Sequence, residues 1–460
     1  MRIDDHLQPA QLSAGLSQLF ELAGPKLARL ARRWDPVHGS PVTTVEGQYT
    51  SRGWTEWTQG FQYGLLLLQF DATGQEEFFR LGRDFTLRCM APHLTHTGVH
   101  DHGFNNLSTY GHLRRLALEG RSGEGEDAVR LYQLALRVSG AVQAMRWSTL
   151  SDGSGFIYSF NGPHSLFADT IRSCRSLVLS HRLGHVLLGE NDRRISLLSR
   201  AVQHLRNTAR YAVYYGEGRD SYDERGRVAH ESIFNMNDGR YRCPNTQQGY
   251  SPFSTWTRGL AWVMLGAAEE LEFLARVDEA ELAECGGKAE VLAMLSRMAT
   301  ATCDFYLENT ALDGIPYWDT GAPGLARMGD WRGRPAEPDN DHEPVDSSAA
   351  AIAAQGLLRL GRYLGGRTEP GRKYLQAGLC VARALLAPPY LSLDPGHEGL
   401  LLHTVYHRPN GWDFVPPGKS VPQGESCMWG DYHLMELAVY LQRLLQEGVY
   451  LTFWGPEEEA

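Results

Sequence analysis

Lysine is scarce in this chain: Lys26, Lys288, Lys373 and Lys419 are the only four in 460 residues. Nearly all of the positive charge is therefore arginine, and the formal net charge is −10. That balance argues against non-specific nucleic-acid binding, which needs a basic face. An anionic ligand would need a locally positive pocket. The seven cysteines are scattered singly from Cys89 to Cys427 with no CxxC pair, which argues against both a disulfide framework and a thiolate zinc site. No apolar run approaches the roughly 20 residues of a membrane span; LLLLQF at 65–70 is far too short. The start, MRIDDHLQPAQL, has no basic region followed by an apolar stretch, so no signal peptide is expected and a cytoplasmic enzyme is the simplest fit. There is no Walker loop, GxSxG elbow or dinucleotide fingerprint, so no cofactor is expected.

Helical periodicity dominates what is present, and no convincing run of alternating strands occurs. The pattern predicts twelve helices, near 11–33, 57–72, 75–91, 103–119, 125–146, 166–189, 194–214, 254–275, 287–307, 346–363, 369–386 and 430–446. A helix end running into glycine, a polar turn and a new helix recurs as LLLLQFDATGQEEFFRLG, LGHVLLGENDRRISLL and LGRYLGGRTEPGRKYL. Short glycine-bearing turns of this kind join antiparallel helices. Six such hairpins predict an all-α fold, an (α/α)6 barrel, as one domain over 1–460. An open solenoid is the rival, but a strong repeat consensus is missing. Long segments rich in Gly, Asp, Asn, His and aromatics separate the helices at 34–56, 91–102, 147–165, 215–253, 308–345 and 387–429. Loops of this length in a compact domain are usually functional.

The richest segment is Thr246–Trp262, TQQGYSPFSTWTRGLAW. Ser254 is placed to cap a helix beginning near Thr255. On that helix Arg258 and Trp262 share a face, and Trp256 lies on another. Indole plates suit the apolar faces of sugar rings and guanidinium forks suit carboxylates, so an acidic sugar is the first ligand to consider. An Arg–Trp stack that merely covers surface is the plain alternative. Asp101, in HDHGF, is a good helix cap by position. Asp169 lies within the first turns of a predicted helix between Ala168, Phe167 and Thr170, where it could complement the helix dipole. Pressed among apolar neighbours, its proton affinity would instead rise, as a general acid requires. Two such aspartates on one pocket would suit glycoside chemistry. His93, His96, His100 and His102 crowd one loop, but without HExxH or a cysteine partner no metal is expected. The acidic loop PDNDHEPVD lacks the glycine and glutamate spacing of a calcium loop.

Taken in order, these blocks resemble the unsaturated glucuronyl hydrolases, glycoside hydrolase family 88, and the related unsaturated rhamnogalacturonyl hydrolases. The resemblance runs from about Trp57 to Leu437 through WTQGFQYGLLLL, HDHGF, SFNGPHSLFADT, TQQGYSPFSTWTRGLAW, IPYWDTGAP, DSSAAAIAAQGLLRL and WGDYHLMEL. It implies an (α/α)6 barrel that hydrolyses the bond beside a terminal 4,5-unsaturated uronic acid, with a small acidic oligosaccharide as partner and no nucleic acid or membrane. Oligomeric state is left open, a homodimer included. By the same resemblance Asp169 matches the catalytic acid/base and Asp101 its partner. His230, Gln248, Arg258, Trp262, Trp57 and Trp256 match substrate-binding positions. By itself His230 reads as a structural histidine and Trp57 as equally suited to a core.

The chain departs from the family at Gln62, Gln247 and Leu260, and IRSCRSL brings Arg172 and Arg175 behind Asp169. These departures point to a different reading of the leaving sugar. Two other functions compete: an inverting hydrolase of saturated glycosides on the same barrel, and a non-catalytic carbohydrate-binding helical scaffold.

Overall fold

The computed structural model describes residues 1–53 and 56–456. The ends of the 34–56 loop and of the 1–460 domain range thus fall partly outside the described residues. All twelve predicted helices are present: α1 (Ser13–Arg33), α2 (Gln59–Thr73), α3 (Glu76–Cys89), α4 (His112–Leu118), α5 (Glu126–Met145), α6 (Arg175–Arg182), α7 (Leu197–Tyr211), α8 (Thr257–Leu274), α9 (Lys288–Glu308), α10 (Ser347–Tyr363), α11 (Gly371–Leu385) and α12 (Met428–Leu445). α4 and α6 are each preceded by short helical turns, Leu107–Gly111 and Thr170–Ser173 among them.

Burial sorts these helices into two rings. Every residue of α2 from Gln59 to Asp71 is buried, as is nearly all of α8, α10 and α12. By contrast α3 buries only Phe78, Phe79, Gly82 and Thr86, the stripe of an amphipathic outer helix. The inner ring runs from α2 through the 102–118 segment, the turn before α6, α8 and α10 to α12, and α12 packs back on α2 to close it. Outer partners cover it, as α3 covers α2, α9 covers α8 and α11 covers α10. This is the (α/α)6 barrel expected from the sequence. Tight inner crossings need glycine. A Cβ at Gly60 would collide with the backbone of Asn105, and one at Gly356 would lie 2.9 Å from the Leu265 amide on α8. No helix among the described residues is long and apolar enough to cross a membrane.

The loops hold what periodicity could not predict. Nine strands of two to five residues occur among the described residues, too short to show alternation. Three matter to the site: β1 (Ser165–Phe167), β2 (Glu231–Phe234) and β3 (Tyr241–Asn245) form an antiparallel sheet in which Phe167 pairs with Glu231 and Glu231 with Asn245. The predicted helix at 166–189 therefore begins as a strand. Ser254 also departs from expectation: α8 starts at Thr257, and the Ser254 hydroxyl donates to Ser251 O instead of capping. The first-turn amide of Thr257 is satisfied by Trp318 O at 3.1 Å, from a distant loop.

Candidate active site

Segments leading into the inner helices converge on a cavity of about 170 Å³. Trp57 comes just before α2, Asp101 immediately precedes the turn His102–Asn105, Asp169 the turn Thr170–Ser173, and Trp256 precedes α8. Neither aspartate side chain bonds to the amides of its own turn, so neither is a structural cap. Phe104, Phe160, Trp262, Tyr406 and Trp412 supply aromatic walls, and His96, His100, Gln247, Gln248, His407 and Asn410 supply polar ones.

The two carboxylates meet on one imidazole. His100 Nε2 lies 3.4 Å from Asp169 Oδ1 and 3.6 Å from Asp101 Oδ1. The ring is 2% exposed, and neither of its nitrogens has a hydrogen-bond partner. Burial pushes the Asp101 carboxyl up to about 6; His100 opposes the rise and the charge of Asp169 adds to it. Burial acts on Asp169 in the same sense, but His100, with His230 and Arg258 beyond it, outweighs burial and leaves that carboxyl below its ordinary value. The expectation that apolar packing alone raises Asp169 is thus reversed in the free protein. A cation within reach overrides desolvation.

Arg258 corrects a second expectation. It is 1% exposed and does not stack on Trp262; its guanidinium lies over Trp256 at 4.6 Å and Trp429 at 5.1 Å. Its fork is already committed, to Asp346 at 2.7 Å, to Gln248 Oε1 at 2.9 Å, to Tyr406 O at 2.7 Å and to Val405 O. So it is not a surface stack: it lines the cavity with its fork held by these four partners. Its effect on the cavity is to hold the Gln248 amide on the wall by its oxygen. Trp262 packs instead on Phe104 at 4.8 Å and on His433.

His230 is buried and absent from the cavity wall. Its Nδ1 accepts from the Gln247 and Gln248 amides at 3.1 and 3.3 Å, which puts the proton on Nε2, and burial pushes the ring down to about 4. Its place is behind the two glutamines, between Phe167 and Trp256. Trp57 is half-buried, with its indole N–H donating to Tyr406 Oη at 3.3 Å and its ring 5.0 Å from Trp429. Of the three departures only Gln247 lines the cavity. Gln62 and Leu260 are buried outside it, Gln62 accepting from Gln59 Nε2 at 2.7 Å. The histidine-dense loop is structural apart from His96 and His100: His102 bonds Ser139 Oγ and His96 O. Among the described residues no group of three or more His, Cys, Asp or Glu could hold a metal ion.

Sequence reasoning undervalued His100, and missed His407 and Trp412. The long aromatic segment at 387–429 was the available signal for the last two. Nothing local marked His100, because its role comes from a carboxylate at Asp169.

Arg172 and Arg175 turn away from the cavity. Behind Trp262, Arg172 bonds Glu269 at 3.0 Å and Glu436 at 2.7 Å, and Arg175 bonds Glu269 at 3.2 Å. Through Tyr432 and His112 this cluster continues to Arg115, Asp71, Arg443 and Glu119.

No protein-family profile matches the chain. Individual relatives do. It is 27% identical over 409 residues to the unsaturated glucuronyl hydrolase of Bacillus sp. strain GL1, covering 87% of this chain and 90% of that one. It is 25% identical over 421 residues to the unsaturated chondroitin disaccharide hydrolase of Streptococcus pyogenes serotype M1, covering 90% and 86%. The crystal structure of the unsaturated glucuronyl hydrolase from Bacillus sp. GL1 superposes with a TM-score of 0.69 at 22% identity, over 96% of this chain and 99% of that one. The chain is therefore a glycoside hydrolase built on an (α/α)6 barrel. Its homologues are the unsaturated glucuronyl hydrolases, the family the sequence blocks resemble.

Proposed function

We propose that the protein removes a terminal 4,5-unsaturated uronic acid from oligosaccharides left by polysaccharide lyases. In this reading 1–460 acts as one catalytic domain, and the scattered free cysteines suit a cytoplasmic location. The observation that carries the proposal is the pair of buried carboxylates sharing one imidazole at an aromatic cavity. Asp169 gives a proton to C4, an oxocarbenium-like charge develops at C5, and water adds there. The hemiketal then rearranges and frees the neighbouring sugar. Asp101 stabilises the developing positive charge. Trp57, Trp256 and Trp262 pack the sugar faces, while the Gln248 NH2 group donates to the acidic ring. His230 holds Gln248 in place from behind the cavity wall, and Arg258, on that wall, holds the Gln248 amide oxygen.

An inverting hydrolase of saturated glycosides is less well supported. It needs a water held between carboxylates roughly 6.5–9.5 Å apart, whereas here a buried imidazole nitrogen already faces both carboxylates.

The test is to incubate the protein with unsaturated glucuronyl, galacturonyl and rhamnogalacturonyl disaccharides and follow the near-ultraviolet absorbance of the double bond. Loss of absorbance is expected on at least one, and Asp169→Asn should slow it by about 10²–10⁴-fold with an unchanged circular dichroism spectrum. Absorbance that persists on all of them, with reducing sugar released from saturated glycosides, would transfer the protein to the inverting class.

A further inference from the structure

The proposed chemistry leaves a proton unaccounted for. Asp169 must be neutral to protonate C4, yet in the free protein its carboxyl sits below the ordinary range. A buried ring whose Nδ1 has no partner and whose Nε2 faces two carboxylates is a costly arrangement unless it is used. We propose that His100 is the positioning residue for the catalytic proton: its Nε2 stores the proton in the free enzyme and passes it to Asp169 Oδ1 when an anionic sugar fills the cavity. This rests on the function proposed above.

The geometry suits the transfer. Nε2 is 3.4 Å from the acceptor oxygen, close enough for a small approach to make a hydrogen bond. Phe160 stacks on the ring at 6.0 Å and Phe167 meets it edge-on at 5.6 Å, which fixes its plane. The charged groups around it favour the imidazolium. Asp101 and Asp169 face Nε2, and together they outweigh burial and raise the ring above its ordinary value. Arg146, at the end of α5, opposes this, but its guanidinium is spent on the carbonyls of Thr97, Tyr158 and Ser159. His204 on α7 is pushed down to about 3 and His230 to about 4 by burial, so neither competes as a cation.

The step balances simply. The N–H bond at Nε2 breaks and an O–H bond forms at Asp169 Oδ1; imidazolium becomes imidazole and carboxylate becomes carboxylic acid, with no electron transferred. Two effects drive the transfer when the sugar binds: excluding water disfavours the separated charges of imidazolium and carboxylate, and a uronate carboxylate nearer Asp169 than His100 raises the proton affinity of Asp169 the more. C4 then takes the proton, and the water adding to C5 returns one to Asp169. When the anionic product leaves, the proton goes back to His100.

Two measurements test this. In protein labelled with nitrogen-15 at histidine, the ring missing from His100→Gln identifies His100. In the free wild-type enzyme that ring should titrate above about 6.5 and fall by about one unit or more in Asp169→Asn. In kinetics, His100→Gln should lower kcat by about 10²-fold with KM little changed, and shift the pH profile of kcat. A ring neutral throughout about pH 5–8 in the wild type, or a variant with wild-type kcat and pH profile, overturns the proposal. A wild-type enzyme inert on every unsaturated disaccharide removes the proposed function instead. The titration then still decides whether His100 holds the proton.

Discussion

Two buried acid clusters lie on opposite sides of Trp262, and they behave differently. On the cavity side, Asp101 and Asp169 share a single imidazole. On the inner side, Glu269 and Glu436 face the guanidinium groups of Arg172 and Arg175. Burial pushes all four carboxyls up. Behind Trp262 the arginines more than offset it, holding Glu269 and Glu436 below their ordinary values. At the cavity Asp101 is left near 6. Burial alone therefore does not decide the charge of an acid; the permanence of its partner does. A guanidinium is always charged and fixes a carboxylate, whereas an imidazole can give its proton away. The inner cluster is built to stay ionised and the outer one to exchange protons.

The largest expected effect comes from breaking the inner cluster. Arg172→Met leaves Glu269 and Glu436 short of a partner and should cost about 3–5 kcal/mol of stability, read as a lower urea midpoint with an unchanged slope. The activity of the folded fraction should change far less. A variant as stable as wild type would mean that the inner acids take up protons as the outer ones do.

Asp101→Asn tests the outer cluster with a smaller, pH-dependent effect of opposite sign. The folded-state value of about 6 lies above the ordinary 3.8, so the folded protein binds this proton more tightly than the unfolded chain. Below about pH 4 the group is protonated in both states and costs nothing; the cost grows as pH rises toward 6 and is complete above it. The variant should match wild type near pH 4 and be more stable by about 2–3 kcal/mol above pH 6, while losing activity. Thermal unfolding across this range checks it, and a difference that does not vary with pH would contradict the assigned proton.

The smallest effect is the control. Arg130 pairs with exposed Glu126 and Asp127 on α5, and Arg130→Ala should change stability, read from the urea midpoint, by less than about 0.5 kcal/mol. A larger change would mean that the difference between the clusters owes less to burial than argued here.

Much of this was legible in the chain. The barrel helices were readable because an inner or outer helix imposes its own periodicity on local sequence, as α3 does with Phe78, Phe79, Gly82 and Thr86. Asp101, Asp169, Gln248 and the tryptophans were found by their blocks. The start of α8 was misjudged because its first amide is satisfied by Trp318, not by the local Ser254. Arg258 was read as open because nothing near it announces Asp346, 88 residues away. Gln62 and Leu260 looked like subsite residues, yet their side chains end in the packing between helices.

The sequence alone determined the helices, their closure into a barrel and the kinship with the unsaturated glucuronyl hydrolases, since periodicity and ordered blocks are properties of neighbouring residues. Only the tertiary structure decided which aspartate burial raises and which the imidazole lowers, what occupies the Arg258 fork and where Arg172 points. Those follow from electrostatics over a few ångströms between residues remote in the chain. Local sequence records the charges but not the distances between them.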